Sequence, residues 1–184
     1  MDKKLIHLEL FGLLFVAAGA YFSRRLYALT DGGLTGILFG AVNGSVWESC
    51  KTLLLPYLLW ALLEALIIRV RVHRFAAAKT AALYLLGLSY IFARTLFDDL
   101  PAAVLGIVAA FAVSYALYRS PLKLEGLFAP SVSLLFLFLA LYFSLTPFPP
   151  RFAVFRDPST GMYGIIPKHL DFGAIALEKA QYIV

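Results

Sequence analysis

The stretch AVNGSVWESCKTLLLPYLLW, residues 41–60, joins a group of polar side chains to a run of leucines. Its second half begins an apolar segment that approaches the roughly 20 residues needed to cross a bilayer as a helix. Its first half is unusual, because the chain is 61% hydrophobic and only 15% charged. The stretch therefore predicts both the beginning of a membrane helix and a place where polar chemistry is concentrated.

Further apolar runs lie on both sides of this stretch. A soluble domain is nearer half apolar and a quarter charged, whereas this chain has a mean hydropathy of +0.84. No segment alternates apolar and polar residues as the strands of a membrane barrel do. The sequence predicts an all-α polytopic bundle with five spans, at residues 5–22, 53–69, 76–94, 102–118 and 127–146.

Basic residues indicate which loops lie in the cytoplasm, because short cytoplasmic loops are enriched in lysine and arginine. The net charge of +5 is therefore interpreted as topology and not as a nucleic-acid surface. The loops after the second and fourth spans carry Arg69, Arg71, Arg74, Lys79, Arg119 and Lys123. We expect the N-terminus inside and the C-terminus outside. If Arg24 and Arg25 were inside, residues 26–43 would form a sixth span and the N-terminus would lie outside.

The first span has one other interpretation. Its basic start, its apolar core and the small residues at 18–20 resemble a signal peptide with a cleavage site. His7 and Glu9 interrupt the apolar region, which favours a span that is retained. The single Cys50 cannot form a disulfide within the chain.

Four glycines recur at every fourth position before the long helix. Small residues at this spacing form one stripe on a helix and let membrane helices approach closely. The apolar residues 34–42 would extend about 14 Å as a helix, which is half of a bilayer. We expect a short interfacial or re-entrant helix whose stripe contacts a second copy of the chain or another membrane protein. The stripe consists of Gly32, Gly36, Gly40 and Gly44.

Residues 45–48 fit a capping box that begins a long helix over residues 46–69. Ser45 is the N-cap residue in this pattern, and the Glu48 side chain reaches back to the Ser45 backbone. Asn43, Trp47 and Lys51 have no part in such a cap. A tryptophan at the headgroup level and a lysine that extends outward are common at interfaces, and Lys51 is also close enough to pair with Glu48. The alternative is a polar binding site on the outer face.

Residues 147–184 form an extracytoplasmic tail after the transmembrane domain of residues 1–146. Three prolines, the first at Pro147, stop the last helix and favour an extended chain. The stretch RDPSTGMYG, residues 156–164, is dense in turn-forming residues. On the expected topology the tail lies on the same face as residues 43–51 and either packs over them, so that Arg156, Asp157 and Tyr163 close the outer site, or is a flexible terminus. The apolar side chains of Phe148, Phe152 and Phe155 favour packing.

The stretches at residues 42–51 and 156–164 resemble the motifs of an uncharacterised family of small multi-pass bacterial membrane proteins, mostly from Firmicutes. The family motifs read Asn-Glu-Ser-Val-Trp-Glu-His-x-Lys and Asp-Pro-x-Thr-Gly-x-Tyr-Gly. Gly44 and Ser49 stand where the family tends to have Glu and His, which removes two candidate metal ligands. The resemblance implies a bacterial plasma membrane location and no established activity. We expect no metal and no cofactor.

Glu9 and Glu64 lie inside predicted spans, where ionisable residues are functional candidates. Each lies little more than a turn from a base, Lys4 or Arg69, with which it could pair near the inner interface. These inner groups and the outer site favour transport or sensing of a small solute or ion.

Two other classes of function fit the sequence. A membrane-embedded enzyme could act on a lipid or lipid-linked substrate, with Glu48 as acid or base and Arg94 or Arg156 holding phosphate. The sequence contains no catalytic triad order, His-x-x-x-His pair or glycine-rich phosphate loop, which disfavours an enzyme. An accessory subunit would bind another membrane protein through the glycine stripe.

Overall fold

The computed structural model describes residues 2–68 and 71–166 of the chain. Arg69 and residues 167–184 of the expected tail lie outside this described part. The described residues form six α-helices, joined by turns and by short 3-10 segments at Leu124–Leu127 and Ala153–Phe155. The α-helices are α1 (Asp2–Leu29), α2 (Leu34–Phe39), α3 (Val46–Ile67), α4 (Val72–Ala93), α5 (Asp99–Arg119) and α6 (Phe128–Ser144).

Five segments of the described chain are helical, long enough and apolar enough to cross a membrane, which confirms the predicted all-α bundle. They are Lys4–Leu29, Val46–Ile67, Val72–Ala93, Asp99–Arg119 and Leu124–Ser144.

The first of these segments is longer than predicted, because α1 continues through Arg24 and Arg25 to Leu29. The residues that would have formed a sixth span contain the end of α1 and the 6-residue α2. The structure therefore supports five spans over six.

Helix α4 lies at the centre of the bundle and contacts α3, α5 and α6, while α1 packs on α3 and α5. Tyr57, Leu83 and Leu86 fill the interior at 0–1% exposure. Large apolar side chains such as Phe11 and Phe136 point outward instead. An outward apolar surface of this kind suits helices that are surrounded by lipid.

The bundle has two ends. The upper end carries residues 30–45, the connection between α4 and α5, and the residues after α6. The lower end carries the connections from α3 to α4 and from α5 to α6. Helix α3 begins at the upper end and α6 finishes there, so residues 43–51 and the segment after α6 meet on one side.

Two of the basic residues that were expected in the α3–α4 loop belong to α4. Arg74 Nε donates to Tyr118 O at 2.7 Å, and its Nη1 donates to Leu122 O at 3.0 Å. It thereby binds carbonyls at and just beyond the end of α5, which lack partners within the helix. Lys79 is only 6% exposed and lies inside the bundle. The prediction that Lys79 is a loop charge was wrong, because its counter-charges come from helices distant in sequence.

Candidate functional site

The upper cluster consists of Glu48, Lys51 and Thr146. Lys51 Nζ lies 2.9 Å from Glu48 Oε2, and the side chains of this ion pair are 1% and 2% exposed. Thr146 Oγ1 donates to Glu48 Oε1 at 2.8 Å and accepts from Lys51 Nζ at 2.8 Å. The two charges are therefore paired and hydrogen-bonded, as buried charges must be.

Only half of the predicted capping box forms at the start of α3. Ser45 Oγ accepts from Glu48 N at 3.2 Å, as expected of an N-cap residue. The Ser45 N–H donates to Asn43 Oδ1 at 2.8 Å, and the Glu48 carboxylate accepts from Val42 N at 3.1 Å instead. Asn43 therefore belongs to the cap, because Glu48 is engaged by Lys51.

Lys51 connects three parts of the chain and does not extend outward to the interface. Its Nζ also donates to the carbonyl of Ile37, in α2, at 3.2 Å. The ammonium thus joins α2 to α3 and to Thr146, which follows α6. These partners explain why the Lys51 side chain can be buried at 1% exposure.

The segment after α6 packs on the turn before α3. Asp157 Oδ1 accepts from Gly44 N at 2.8 Å, and its Oδ2 accepts from Thr160 N at 2.8 Å. Burial opposes ionisation of Asp157, but the hydrogen bonds from Ser159, Thr160 and Gly44 outweigh it and lower its pKa below the usual value. Asn43 Nδ2 donates to Gly164 O at 2.7 Å.

The remaining predicted outer residues contribute differently. Trp47 packs against Phe155 with 5.5 Å between the ring centroids. Arg156 and Tyr163 form an isolated antiparallel bridge, and Arg156 Nε donates to Gly161 O at 3.2 Å. Within the described residues no hydrogen bond or ion pair joins Arg156 or Tyr163 to the upper cluster. These two residues therefore belong to residues 153–164, which lie over the turn before α3 and which we call the covering segment.

The four glycines do not form one helical stripe, because α2 ends after Phe39. A Cβ on Gly36 would lie 2.7 Å from Tyr27 Cα, and one on Gly40 would lie 2.9 Å from Tyr27 N. Gly32 has a left-handed φ of +76°, and a Cβ on Gly44 would lie 2.8 Å from Asp157 Oδ1. Two of the glycines therefore serve close packing of α2 on α1.

The lower cluster consists of Glu9, Glu64, Lys79 and Ser114, from four different helices. Lys79 Nζ lies 2.9 Å from Glu9 Oε1 and 2.6 Å from Glu64 Oε2. Ser114 Oγ donates to Glu9 Oε1 at 3.1 Å. Both glutamates share Lys79 as a partner inside the bundle. Lys4 was the base expected for Glu9, and Arg69, the base expected for Glu64, lies outside the described residues.

The lower cluster has more negative than positive groups. Glu9 Oε2 and Glu64 Oε1 are buried without hydrogen-bond partners among the described residues. The Lys79 ammonium lies 5.4 Å from the ring centroid of Phe75 and 5.5 Å from that of Phe111, which gives it cation–π contacts. One ammonium is thus shared by two carboxylates in an apolar setting.

Cavities lie beside both clusters. A groove of about 380 Å³ between α3, α4 and α6 has Lys79 on its wall. A pocket of about 270 Å³ lies beside Thr146 and is lined by residues of α2 and α6. The clusters are separated by apolar side chains of the core, which include Leu53, Leu54 and Leu83 at 1–3% exposure.

Comparison with known proteins identifies a family. A family model described as "Family of unknown function (DUF6512)" matches residues 2–165. No curated protein and no solved structure gives a match. Among residues 2–68 and 71–166, no group of three or more His, Cys, Asp or Glu side chains is placed to hold a metal ion.

Proposed function

The chain belongs to the DUF6512 family of unknown function. From its own geometry we propose that it binds and releases a proton at the lower cluster. It would act as a proton-linked transporter or sensor of a small solute or ion. The single observation that carries the proposal is the pair of buried carboxylates, Glu9 and Glu64, on one ammonium. Intramembrane carboxylates with such partners are typical of proton pathways and pumps.

Charge balance favours a proton at this place. With both carboxylates ionised the cluster would carry one uncompensated negative charge, and such a buried charge costs several kcal/mol. A proton on either glutamate removes that charge and gives its oxygen a hydrogen to donate. A metal cation is disfavoured because the Lys79 ammonium already lies within 2.6 Å and 2.9 Å of the two carboxylates and would repel it.

The apolar layer between the clusters shapes how a proton would act. From Lys51 to Glu64 the helix α3 extends about 20 Å, at about 1.5 Å per residue. Leu53 and Leu54 of α3 and Leu86 of α4 fill this interval at 0–3% exposure. A proton at the lower cluster therefore acts by shifting helices against each other. This mode of action favours sensing or coupled transport and disfavours an open channel.

The upper end is the proposed solute site. The pocket beside Thr146 adjoins the ion pair of Glu48 and Lys51, and residues 153–164 cover the turn at residues 43–47. We place this end outside and the lower end in the cytoplasm of a bacterial plasma membrane, from the basic residues near the lower end. Opening of the covering segment would admit the solute.

Infrared spectroscopy of the purified protein across a pH titration tests the proposal. We expect the wild type to show the carbonyl band of a protonated buried carboxyl group, which disappears as the pH rises. Glu9→Gln and Glu64→Gln should each remove this band, because either change leaves one carboxylate to balance the Lys79 ammonium. Glu125→Gln is the matched control, because Glu125 also pairs with a base at the lower end but is 49% exposed.

Proton uptake by proteoliposomes that contain a pH-sensitive dye provides the functional arm. We expect uptake driven by a membrane potential to be slow in the wild type without solute and absent in Glu64→Gln. A wild-type spectrum with no titrating carboxyl band, in protein shown to be folded by circular dichroism, would refute the proposal.

A further inference from the structure

A second group of charges lies at the upper end of the bundle, between α1, α4 and α5. We call Arg24, Arg94 and Asp99 the arginine cluster. Arg24 Nη1 forms an ion pair with Asp99 Oδ2, and Arg94 Nε lies 4.0 Å from Asp99 Oδ1. The Tyr90 hydroxyl donates to the same carboxylate. Asp99 therefore holds two guanidinium groups next to each other.

The two guanidinium groups have more donors than the protein uses. Each arginine carries five N–H donors, and they share one carboxylate. Arg94 Nη1 donates to Phe97 O at 3.0 Å, whereas its Nε is buried without a hydrogen-bond partner among the described residues. The side chains of Arg24 and Arg94 are 37% and 26% exposed, so an anion can reach them.

The charge around the cluster is positive. Arg25 lies one residue further along α1, with its guanidinium carbon 4.0 Å from the ring centroid of Tyr21. Within the arginine cluster two guanidinium groups, those of Arg24 and Arg94, share the single carboxylate of Asp99, which leaves an excess of one positive charge. Basic residues at the level of the headgroups attract anionic lipids.

An apolar cleft begins at Arg24 and Asp99 and lies between α1 and α5. It encloses about 150 Å³, and Arg24 and Asp99 form its polar end. Its walls are small or apolar side chains, among them Ala17, Ala20, Leu100, Ala103 and Val104. The surrounding surface is apolar as well, because Leu100 is 73% exposed and Tyr21 is 61% exposed. A free anion would use only the polar end of this cleft.

We propose that the cleft binds an anionic phospholipid, with its phosphate at Arg24 and Arg94 and an acyl chain against Ala20 and Ala103. Guanidinium groups bind phosphate through paired hydrogen bonds, and the apolar walls of the cleft give the acyl chain of the lipid a surface to pack on. The positive excess selects an anionic lipid over a zwitterionic one. This site is independent of the proton proposed at the lower cluster.

Native mass spectrometry of the detergent-purified protein tests the site, together with thermal unfolding after addition of lipid. We expect phosphatidylglycerol to remain bound and to raise the unfolding temperature, while phosphatidylcholine and inorganic phosphate have little effect. Arg24→Gln and Arg94→Gln should each weaken phosphatidylglycerol binding about tenfold, since each removes a charge-assisted contact.

Two further variants make the test decisive. Ala103→Phe fills the cleft and leaves both arginines in place, so it should reduce lipid binding in a folded protein. Arg119→Gln removes one positive charge at the other end of α5 and should leave binding unchanged. Equal retention of phosphatidylglycerol and phosphatidylcholine, unchanged binding in Ala103→Phe, or equal stabilisation by inorganic phosphate would each overturn the proposal.

Discussion

Glu48 holds together parts of the chain that are distant in sequence. Its carboxylate accepts hydrogen bonds from Val42 N and from Thr146 Oγ1 and pairs with Lys51. A buried ion pair is weak evidence for net stability, but removal of one partner leaves the other charge uncompensated. The residue therefore has a structural duty whether or not it also contacts a solute.

We expect Glu48→Gln to lower the free energy of unfolding by about 3–5 kcal/mol, because it leaves the Lys51 ammonium buried without its counter-charge. Unfolding in mixed detergent micelles measures this change. Ser45→Ala is the control, since it removes only the cap and should cost about 1 kcal/mol. Equal losses in the two variants would show that the ion pair is not needed for stability.

Asp157 makes the cover on the upper end sensitive to acid. Its folded-state pKa is lowered, because hydrogen bonds from Ser159, Thr160 and Gly44 outweigh the opposing effect of burial. Its contribution to stability is therefore complete above the unfolded pKa of about 3.9 and is lost as the pH falls towards the lower folded pKa.

The fluorescence of Trp47, which packs on Phe155, reports this loss. In a Trp60→Phe background we expect constant emission down to about pH 4 and a red shift below it. Asp157→Asn should already show altered emission at neutral pH and no such acid transition. A transition that persists in Asp157→Asn would assign the effect to another group.

The two clusters show which side-chain contacts a local sequence pattern can predict. The Ser45 cap and the closeness of Glu48 and Lys51 follow from spacing along one helix. Thr146 lies 95 positions from Lys51, and Glu9 lies 70 positions from Lys79. No local pattern predicts those partners, because they are brought together only by the packing of helices.

Helix α2 is the element whose packing depends most on small residues. We expect Gly36→Leu and Gly40→Leu each to lower the free energy of unfolding by about 1–3 kcal/mol, since both positions lie against the Tyr27 backbone in α1. Unfolding of the purified variants measures this change. Gly126→Leu is the matched control, because a Cβ there meets nothing within 4 Å. Losses as large in the control would contradict this packing role.

The elements also show which boundaries the sequence can predict. The number of long helices follows from the number of apolar runs, because each run is near the length of a span. The end of α1 was placed too early, at residue 22, since Arg24 and Arg25 resemble an interfacial boundary. Arg24 continues the helix because it pairs with Asp99 of α5, and that partner cannot be inferred from α1 alone.

The whole molecule has a direction in the membrane that labelling can test. We expect a cysteine at position 73, near the start of α4, to react with an impermeant reagent only from the cytoplasmic side. A cysteine at position 151, after α6, should react only from outside. Cys50 can remain, because it is fully buried at 0% exposure. Reaction of both cysteines from the same side would contradict an odd number of crossings.

The contact between Lys51 and Thr146 forms only late in the synthesis of the protein. Helix α3 enters the membrane early in synthesis, whereas Thr146 is translated 95 residues after Lys51. Until the ribosome has delivered α6 and Thr146, the Glu48 carboxylate lacks its hydroxyl partner and α4 lacks one of its neighbouring helices. Nascent chains that stop before α6 therefore hold an ion pair of Glu48 and Lys51 that lacks its third member, Thr146.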